Sequence, residues 1–211
     1  MADDMDAIYR RLSPGQIPWD MEEPPGIIVR LVDSGRIEAG RAVDFGCGTG
    51  NYAIWLAGQG FSVTGIDLSP TAVTLARKKA AARGVDCRFV VADVLGDLRE
   101  VAGPFDVAVD WELLHHIAPD DRPRYVSNVA RLLRPGGTWL SVCFHVDDPG
   151  FGGTGRVRKT RIGTTLYFST VEELLDLFGL YFRIHELRQV TIPGKWEDHV
   201  AVCGLMERKG G

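Results

Sequence analysis

The sequence contains few cysteines, and none of them lies in a Cys-x-x-Cys pair. Cys47, Cys87, Cys143 and Cys203 are far apart, and at least two of them fall inside apolar, strand-like runs. Disulfide frameworks and cysteine-rich zinc sites need cysteines at short, regular spacings. The sequence therefore predicts reduced, buried thiols, which are typical of a cytoplasmic protein.

Long hydrophobic runs and an excess of charge of one sign are also missing. No window approaches the roughly 18 apolar residues of a membrane-spanning helix. The 24 basic and 28 acidic residues leave a formal net charge of -4, and the basic residues are scattered rather than clustered as at a nucleic-acid interface. We expect a small-molecule partner, no nucleic acid and no membrane, in a protein that is a monomer or a homodimer.

Five short runs rich in β-forming residues alternate with helix-like segments. The runs are "RAVDFG", "FSVTGIDL", "CRFVVADV", "FDVAVDW" and "GTWLSVCF". Near-continuous apolar strands separated by helices are typical of parallel sheets with right-handed crossovers. With two further strands at the end of the chain, the pattern predicts one α/β domain. Its sheet is Rossmann-like, doubly wound, mostly parallel and seven-stranded, with a C-terminal antiparallel hairpin strand, and its ligand lies over the carboxyl ends of the strands.

Capping residues predict several helix boundaries. Ser69 as N-cap, Pro70 at the first helical position and Gly84 after the last turn delimit the helix that follows the second strand. The segment "APDDRPRYVSNVARLLRPGG" predicts a helix that ends at Pro-Gly-Gly, so the fifth strand is expected to begin at Thr138.

A glycine-rich loop, "VDFGCGTGN", follows the first strand. The dinucleotide fingerprint Gly-x-Gly-x-x-Gly would require a third glycine where this chain has Asn51, and the Lys-Ser/Thr ending of a phosphate-binding loop is missing. What remains is Asp44 followed by Gly46, Gly48 and Gly50, which let the backbone approach a ligand closely. A carboxylate beside such a loop favours a cationic ligand over a pyrophosphate.

The segments "VDFGCGTG" and "VTGIDLSPTAVTLARKKA" resemble the first two motifs of class I S-adenosylmethionine (SAM) dependent methyltransferases. The resemblance runs from about Ile37 to about Phe144. It implies SAM as the cofactor, S-adenosylhomocysteine as its product, and Asp44 near the SAM ammonium group. It also implies that the loop faces the aminoacyl and ribose parts of SAM through Gly46, Cys47, Gly48, Gly50 and Asn51.

The same resemblance gives roles to acids that follow the later strands. Asp67 matches the acid that accepts both ribose hydroxyls, a bidentate contact that suits a vicinal diol, and Leu68 matches an adenine-packing neighbour. Asp93 matches the acid that receives the adenine amine, with the backbone amide of Val94 beside it. Asp110 ends the fourth strand, where the family lines the methionine tail and the methyl-transfer pocket.

The N-terminal segment "IYRRLSPGQIPWD" is similar to the arm of the thiopurine, thiol, halide and tellurite methyltransferase group. This resemblance implies that Trp19 folds over the cofactor, where an aromatic ring excludes water and attracts a sulfonium cation. Tyr9 is expected to assist in the same way. The alternative is that Trp19 only anchors the arm to the domain.

The fourth-strand region "VDWELLHH" departs from that group. It keeps Asp110 but has Trp111 and Glu112 where the group has Arg-Gly. An arginine favours an anionic acceptor, whereas Trp111 offers a flat apolar wall and Glu112 a proton acceptor or a partner for a cation. His115 is the best histidine candidate for a catalytic base, with a lining or packing role as the alternative.

The resemblance suggests four segments within one SAM-dependent methyltransferase domain. They are an N-terminal arm and helix (1–36), a cofactor-binding core (37–144), a lid or substrate-side insertion (145–168), and a final helix and strand pair (169–211). Basic residues of the insertion either recognise an anionic group or form an exposed charged surface, and they are Arg156, Arg158, Lys159 and Arg161. The acids and histidine of "HVDDPG" predict a loop turn, and no metal site is expected because ligand spacing is missing.

The sequence thus favours an enzyme that transfers a methyl group from SAM to a small molecule, at a soft nucleophile such as a thiol. The first alternative is O- or N-methylation of a small aromatic or secondary metabolite, with His115 or Glu112 as base. The second is a non-catalytic, SAM-binding regulatory protein.

Overall fold

The computed structural model describes residues 4–151 and 154–210. Their strands are β1 (Arg41–Phe45), β2 (Ser62–Asp67), β3 (Arg88–Val91), β4 (Phe105–Trp111), β5 (Leu133–Phe144), β6 (Val157–Lys159), β7 (Thr165–Tyr167), β8 (Phe182–Ile192) and β9 (His199–Arg208). Their α-helices are α1 (Met5–Arg11), α2 (Gly26–Asp33), α3 (Asn51–Gly58), α4 (Pro70–Ala82), α5 (Arg122–Leu132) and α6 (Val171–Gly179).

Seven strands form one sheet in the order β3-β2-β1-β4-β5-β9-β8. The pairs from β3 to β5 are parallel, and β9 pairs antiparallel with both β5 and β8. The predicted Rossmann-like sheet with its antiparallel closing strands is therefore confirmed. The strand order reverses beside β1, which brings the ends of β1, β2 and β4 together at one edge of the sheet.

The two faces of the sheet carry separate apolar cores because side chains alternate along each strand. In β4, Val107 and Val109 belong to one core and Ala108 to the other. Phe105 also belongs to the second core, because the strand pairing shifts register between Phe105 and Val107. Helices α2, α3 and α4 cover the first core with buried residues that include Ile28, Ala53, Ile54, Val73 and Ala76. Helices α5 and α6 cover the second with Tyr125, Val126, Val129, Leu174 and Phe178.

The predicted boundaries of α4 agree with the structure. The Ser69 side chain accepts a hydrogen bond from the backbone N–H of Ala72 (3.0 Å), and Gly84 adopts the left-handed conformation just after α4. Thr170 and Glu173 form a capping box at the start of α6. These caps satisfy backbone donors that the first turn of a helix leaves without partners.

One local expectation differs from the structure. Strand β5 begins at Leu133 rather than Thr138, because Leu133 already pairs with Phe105 and the Pro-Gly-Gly segment lies within the strand at a register shift. The insertion contains the hairpin β6–β7, with Gly152 and Gly153 of the predicted lid outside the described residues. No helix in the described part of the chain is long and apolar enough to cross a membrane.

Candidate active site

A cavity of about 430 Å³ lies at the carboxyl ends of β1, β2 and β4. It is lined by most of the predicted site residues, namely Tyr9, Trp19, Asp44, Gly46, Cys47, Gly48, Asn51, Asp67, Leu68, Asp93, Val94, Trp111 and Glu112. Three predicted residues do not line it, and they are Gly50, Asp110 and His115. The sheet thus gathers side chains that are up to about a hundred positions apart in the sequence.

The glycine loop forms the floor of the cavity, and two of its glycines allow different close contacts. Gly48 has φ of +53°, and a Cβ there would lie 2.9 Å from the hydroxyl of Tyr9. Gly50 has φ of +82°, and a Cβ there would meet Ala76 and Phe89 at 2.9 Å. Gly48 therefore allows the Tyr9 hydroxyl of the arm to approach the loop, whereas Gly50 allows α3 to pack closely on the core.

Asp44 is the buried carboxylate of the floor. Its side chain is 2% exposed, and its Oδ2 has no hydrogen-bond partner among the described residues. Desolvation raises the pKa of Asp44 to about 8, with further contributions from the nearby carboxylates of Asp110 and Asp67. A buried carboxylate of this kind is stabilised by a cationic group, so the loop and Asp44 fit the ammonium end of a ligand such as SAM.

Asp67 and Asp93 hold the turns that follow β2 and β3. Asp67 accepts hydrogen bonds from the backbone N–H groups of Gly48 and Ser69, both at 2.8 Å. Burial is the largest influence on the pKa of Asp67 and raises it. Asp93 accepts a hydrogen bond from the backbone N–H of Leu95 at 2.8 Å. Both carboxylates line the cavity and have acceptor sites left, which the hydroxyls and the amine of a nucleoside can use.

Asp110 is fully buried beneath the site rather than inside it. Its carboxylate accepts hydrogen bonds from the hydroxyls of Tyr125 (3.0 Å) and Ser141 (3.1 Å) and from the backbone N–H of Leu113 (3.1 Å). Desolvation raises the pKa of Asp110 to about 6. The expectation that Asp110 lines the pocket needs correction: it fixes the loop after β4, and that loop carries the lining residues.

His115 is also separated from the cavity. Its ring stacks on Phe144 with centroids 4.0 Å apart, and its Nδ1 accepts a hydrogen bond from the backbone N–H of Phe144 at 3.3 Å. Burial holds the pKa of His115 well below its ordinary value. Its position corrects the expected role as base, because a base must reach the proton that it accepts. The neighbouring His116 lines the cavity instead.

Glu112 lies in the cavity wall just after β4. Its backbone has φ of +66°, an uncommon conformation for a residue with a side chain, and desolvation raises its pKa to about 7. Strained backbone and a shifted pKa often coincide at functional sites. The adjacent Trp111 packs edge-to-face on Tyr52, with ring centroids 6.2 Å apart, and both aromatic residues line the cavity.

The N-terminal arm, residues 4–21, closes one side of the cavity. The indole N–H of Trp19 donates to the hydroxyl of Tyr9 at 2.8 Å, and its ring lies edge-on to His116 with centroids 5.8 Å apart. Both Trp19 and Tyr9 contribute to the cavity wall, as the sequence predicted from the arm motif. The arm also contains α1, which packs against α4.

Three polar attachments fasten the arm to the domain. Asp6 accepts hydrogen bonds from Ser69 and from the backbone N–H of Thr71, at the start of α4. The ammonium group of Lys195 donates to three backbone carbonyls of the arm, those of Pro14 (2.9 Å), Ile17 (2.9 Å) and Asp20 (3.0 Å). Lys195 lies in the turn between β8 and β9, so distant parts of the chain hold the arm in place.

The third attachment joins the arm to the glycine loop itself. The buried carboxylate of Asp20 accepts hydrogen bonds from Thr49 (2.5 Å) and Asn51 (2.6 Å). Lys79 of α4 completes the cluster by donating to Thr49 (2.6 Å) and Asn51 (2.8 Å). Asn51, where a dinucleotide loop has glycine, thus links the loop to the arm.

Sequence reasoning missed several lining residues. They are Met5, Asp20, Thr49, Tyr52, Leu95, Leu113, Ile117, Ala118, Asp121, Thr165 and Tyr167. Asp20 directly follows Trp19, so the "PWD" motif contained a signal for it. Thr165 and Tyr167 reach the cavity only because β7 lies beside it, a placement that no local pattern encodes.

The basic residues of the insertion do not line the cavity. Arg158 is buried and donates to the carbonyls of Val146, Asp148 and Gly150, so its role is to hold the insertion together. Arg156 pairs with Glu173 of α6. The predicted turn at "HVDDPG" is observed, since Asp148 accepts from the backbone N–H of Gly150. Among the described residues, no group of three His, Cys, Asp or Glu side chains could hold a metal ion.

Comparisons with known proteins point to one family. The methyltransferase domain family matches residues 42–137. The 2-heptyl-1-hydroxyquinolin-4(1H)-one methyltransferase of Mycobacteroides abscessus is 31% identical over 68% of this chain and 65% of its own. The probable thiol methyltransferase 2 of Arabidopsis thaliana is 32% identical over 65% of this chain and 61% of its own. The chain therefore spans less than two thirds of the length of these curated relatives.

A solved structure extends the likeness to almost the whole chain. It comes from work on the conversion of a disulfide bond into a thioacetal group during echinomycin biosynthesis, and it covers 99% of this chain and 93% of its own. Its TM-score is 0.81 and its sequence is 31% identical. Together with the glycine loop, the buried Asp44 and the acids after β2 and β3, these matches show that the chain contains a domain of the methyltransferase family with the fold of SAM-dependent methyltransferases.

Proposed function

We propose that this protein transfers the methyl group of SAM to a small-molecule acceptor, at a soft nucleophile such as a thiol sulfur. The observation that carries the proposal is the cavity floor, where the unpartnered carboxylate oxygen of Asp44 lies beside an open glycine loop. The named activity of the Arabidopsis relative supports a thiol as acceptor. The disulfide-to-thioacetal conversion associated with the full-length structural relative also concerns sulfur.

In this proposal the residues of the chain bind SAM, orient it toward the acceptor and exclude water from the site. Asp44 holds the ammonium group of SAM, Asp67 its ribose hydroxyls, and Asp93 its adenine amine. Bound SAM supplies an electrophilic methyl carbon on a sulfonium, and methyl transfer then depends chiefly on alignment and on exclusion of water. Trp19 and Tyr9 exclude water from the arm side.

Glu112 takes the acceptor's proton. The S–H bond breaks, the proton moves to the Glu112 carboxylate, and the electron pair left on the acceptor sulfur forms the new S–CH3 bond. With SAM bound, the methyl–sulfonium bond would break at the same time, and its electron pair would stay on the cofactor sulfur, giving S-adenosylhomocysteine. A carboxylate with a pKa near 7 is well matched to a group that must be ionised at neutral pH and still accept a proton.

A second candidate is methylation of an acidic hydroxyl group. It is favoured by the same position of Glu112, since a hydroxyl needs a base more than a thiol does. The relative from Mycobacteroides abscessus is named for a hydroxyquinolone substrate. The two candidates share the cofactor site and differ in the atom that receives the methyl group.

The test is transfer of labelled methyl from SAM to a panel of small thiols, phenols and amines, with products resolved by mass. We expect the thiols to be methylated at the highest kcat/KM. Transfer to phenols alone would favour the second candidate, and no transfer to any member, with SAM binding intact, would contradict both.

A further inference from the structure

We propose that the acceptor of this methyltransferase is uncharged or cationic, and that the cavity selects against anionic acceptors. The inference rests on the proposed function and names its substrate class. It starts from the charges that surround the cavity.

Every formally charged side chain of the cavity lining is acidic, apart from the imidazole of His116. The carboxylates are those of Asp20, Asp44, Asp67, Asp93, Glu112 and Asp121. Among the residues that the structure describes, no Lys or Arg lines this cavity. SAM, which carries two positive groups and one carboxylate, is compatible with such a lining, whereas a second anion beside it is not.

The basic side chains near the cavity are already hydrogen-bonded to other groups of the protein. Lys79 pairs with Asp20 (3.4 Å) and donates to the Thr49 and Asn51 side chains, so its charge already compensates one of the carboxylates that line the cavity. Lys195 donates to carbonyls of the arm. Arg122 is buried and donates to Ser169 and to the carbonyls of Tyr167 and Ile117. None of these cations is available to compensate an anion without losing its present partners.

Several aromatic side chains line the cavity beside the acids. They include Trp19, Tyr52, Trp111 and Tyr167, and Glu112 lines the cavity as well. Aromatic walls provide apolar area for a flat acceptor, and their π faces attract positive charge rather than negative charge. Trp111, the last residue of β4, stands where the resembling group has Arg, and an indole offers an anion no positive charge.

Charge selectivity of this kind arises by repulsion as well as attraction. An anionic acceptor entering the cavity loses its hydration and meets the acidic side chain of Glu112, while no Lys or Arg among the described residues lines the cavity and the nearby His199 is paired with Asp148. Placing like charges together at a binding interface costs several kcal/mol, which corresponds to a discrimination of at least ~100-fold. A neutral acceptor of the same shape has no such penalty.

Three thiols of nearly the same shape test the inference: 4-mercaptobenzamide, 4-mercaptobenzoate and 4-mercaptobenzamidine. We expect kcat/KM for the carboxylate to be at least ~100-fold below that of the carboxamide, after correction for thiol ionisation, and the amidine to lie within ~10-fold of the carboxamide. The ratio of carboxamide to carboxylate should fall in Glu112→Gln. It should stay unchanged in Glu38→Gln, which removes an exposed carboxylate outside the cavity.

A binding measurement separates this inference from the proposed function. Benzamide, benzoate and benzamidine, which cannot be methylated at sulfur, are titrated into the protein saturated with S-adenosylhomocysteine. Weaker binding of benzoate by ~100-fold supports the charge selectivity even if no thiol is turned over, and only the proposed function then fails. Binding of benzoate within about threefold of benzamide, or no binding of benzamide, overturns the inference.

Discussion

Replacing Lys195 by methionine should release the N-terminal arm from the cavity. Lys195 donates from one ammonium group to the carbonyls of Pro14, Ile17 and Asp20, at 2.9 to 3.0 Å. Methionine retains most of the apolar stem but none of the donors. The substitution therefore removes the attachment without creating a large cavity.

The size of the effect follows from the hydrogen bonds that are lost. A hydrogen bond to a charged group contributes about 1.5–3 kcal/mol. Because the three bonds share one partly exposed ammonium, we expect a total of about 2–3 kcal/mol. This corresponds to an increase of about 30- to 150-fold in the population of the open arm.

Hydrogen exchange followed by mass spectrometry measures the opening directly. Exchange in residues 5–20 should accelerate by the same factor, while exchange in β1 and β4 should not change, because the arm lies outside the sheet. The control is Lys209→Met, since Lys209 also donates to one backbone carbonyl, that of Gly179, but far along the chain from the arm. Unchanged exchange in the arm, or equal acceleration in β1 and β4, would refute the role of Lys195 as a local attachment.

Three further substitutions test the site. Asp67→Ala should weaken SAM binding by about 1.5–3 kcal/mol, because charged hydrogen bonds to the ribose are lost; unchanged affinity in calorimetry would reject the ribose contact. Trp19→Ala should reduce kcat/KM more than it lowers Tm, and equal losses would favour a purely anchoring role for Trp19. Wild-type kcat/KM should fall as the pH drops below about 7, where the raised pKa of Glu112 leaves its carboxyl group protonated. Glu112→Gln should lose that dependence, and an identical pH profile in the variant would exclude Glu112 as the base.

The sequence was sufficient to predict the sheet and the cofactor half of the site because both depend on local signals. Apolar strands alternating with capped helices specify a doubly wound sheet. Such a sheet brings the residues after its strands together, and the resemblance to SAM-dependent methyltransferases implies that Asp44, Asp67 and Asp93 are among them. The structure shows all three lining one cavity.

The part of the site that would contact the methyl acceptor was predictable only in part, because contacts between distant segments of the chain position its residues. The chain has adjacent histidines, and only the structure shows that His115 stacks on Phe144 while His116 lines the cavity. Asp110 similarly matches the family pattern, but its carboxylate accepts hydrogen bonds from Tyr125 and Ser141 and does not line the cavity. The contribution of Tyr167 depends on where the β6–β7 hairpin packs, and strand periodicity does not specify that.

Calorimetric titration of SAM at pH 7, in buffers of different ionisation enthalpy, tests the central claim most directly. The pKa of Asp44, about 8 in this structure, leaves its carboxyl group mostly protonated at pH 7, and a cation bound beside it favours the ionised form. The account predicts one SAM per chain and release of roughly one proton, with weaker binding and less proton release in Asp44→Asn. No binding of SAM, or identical affinity and proton release in the variant, would contradict it.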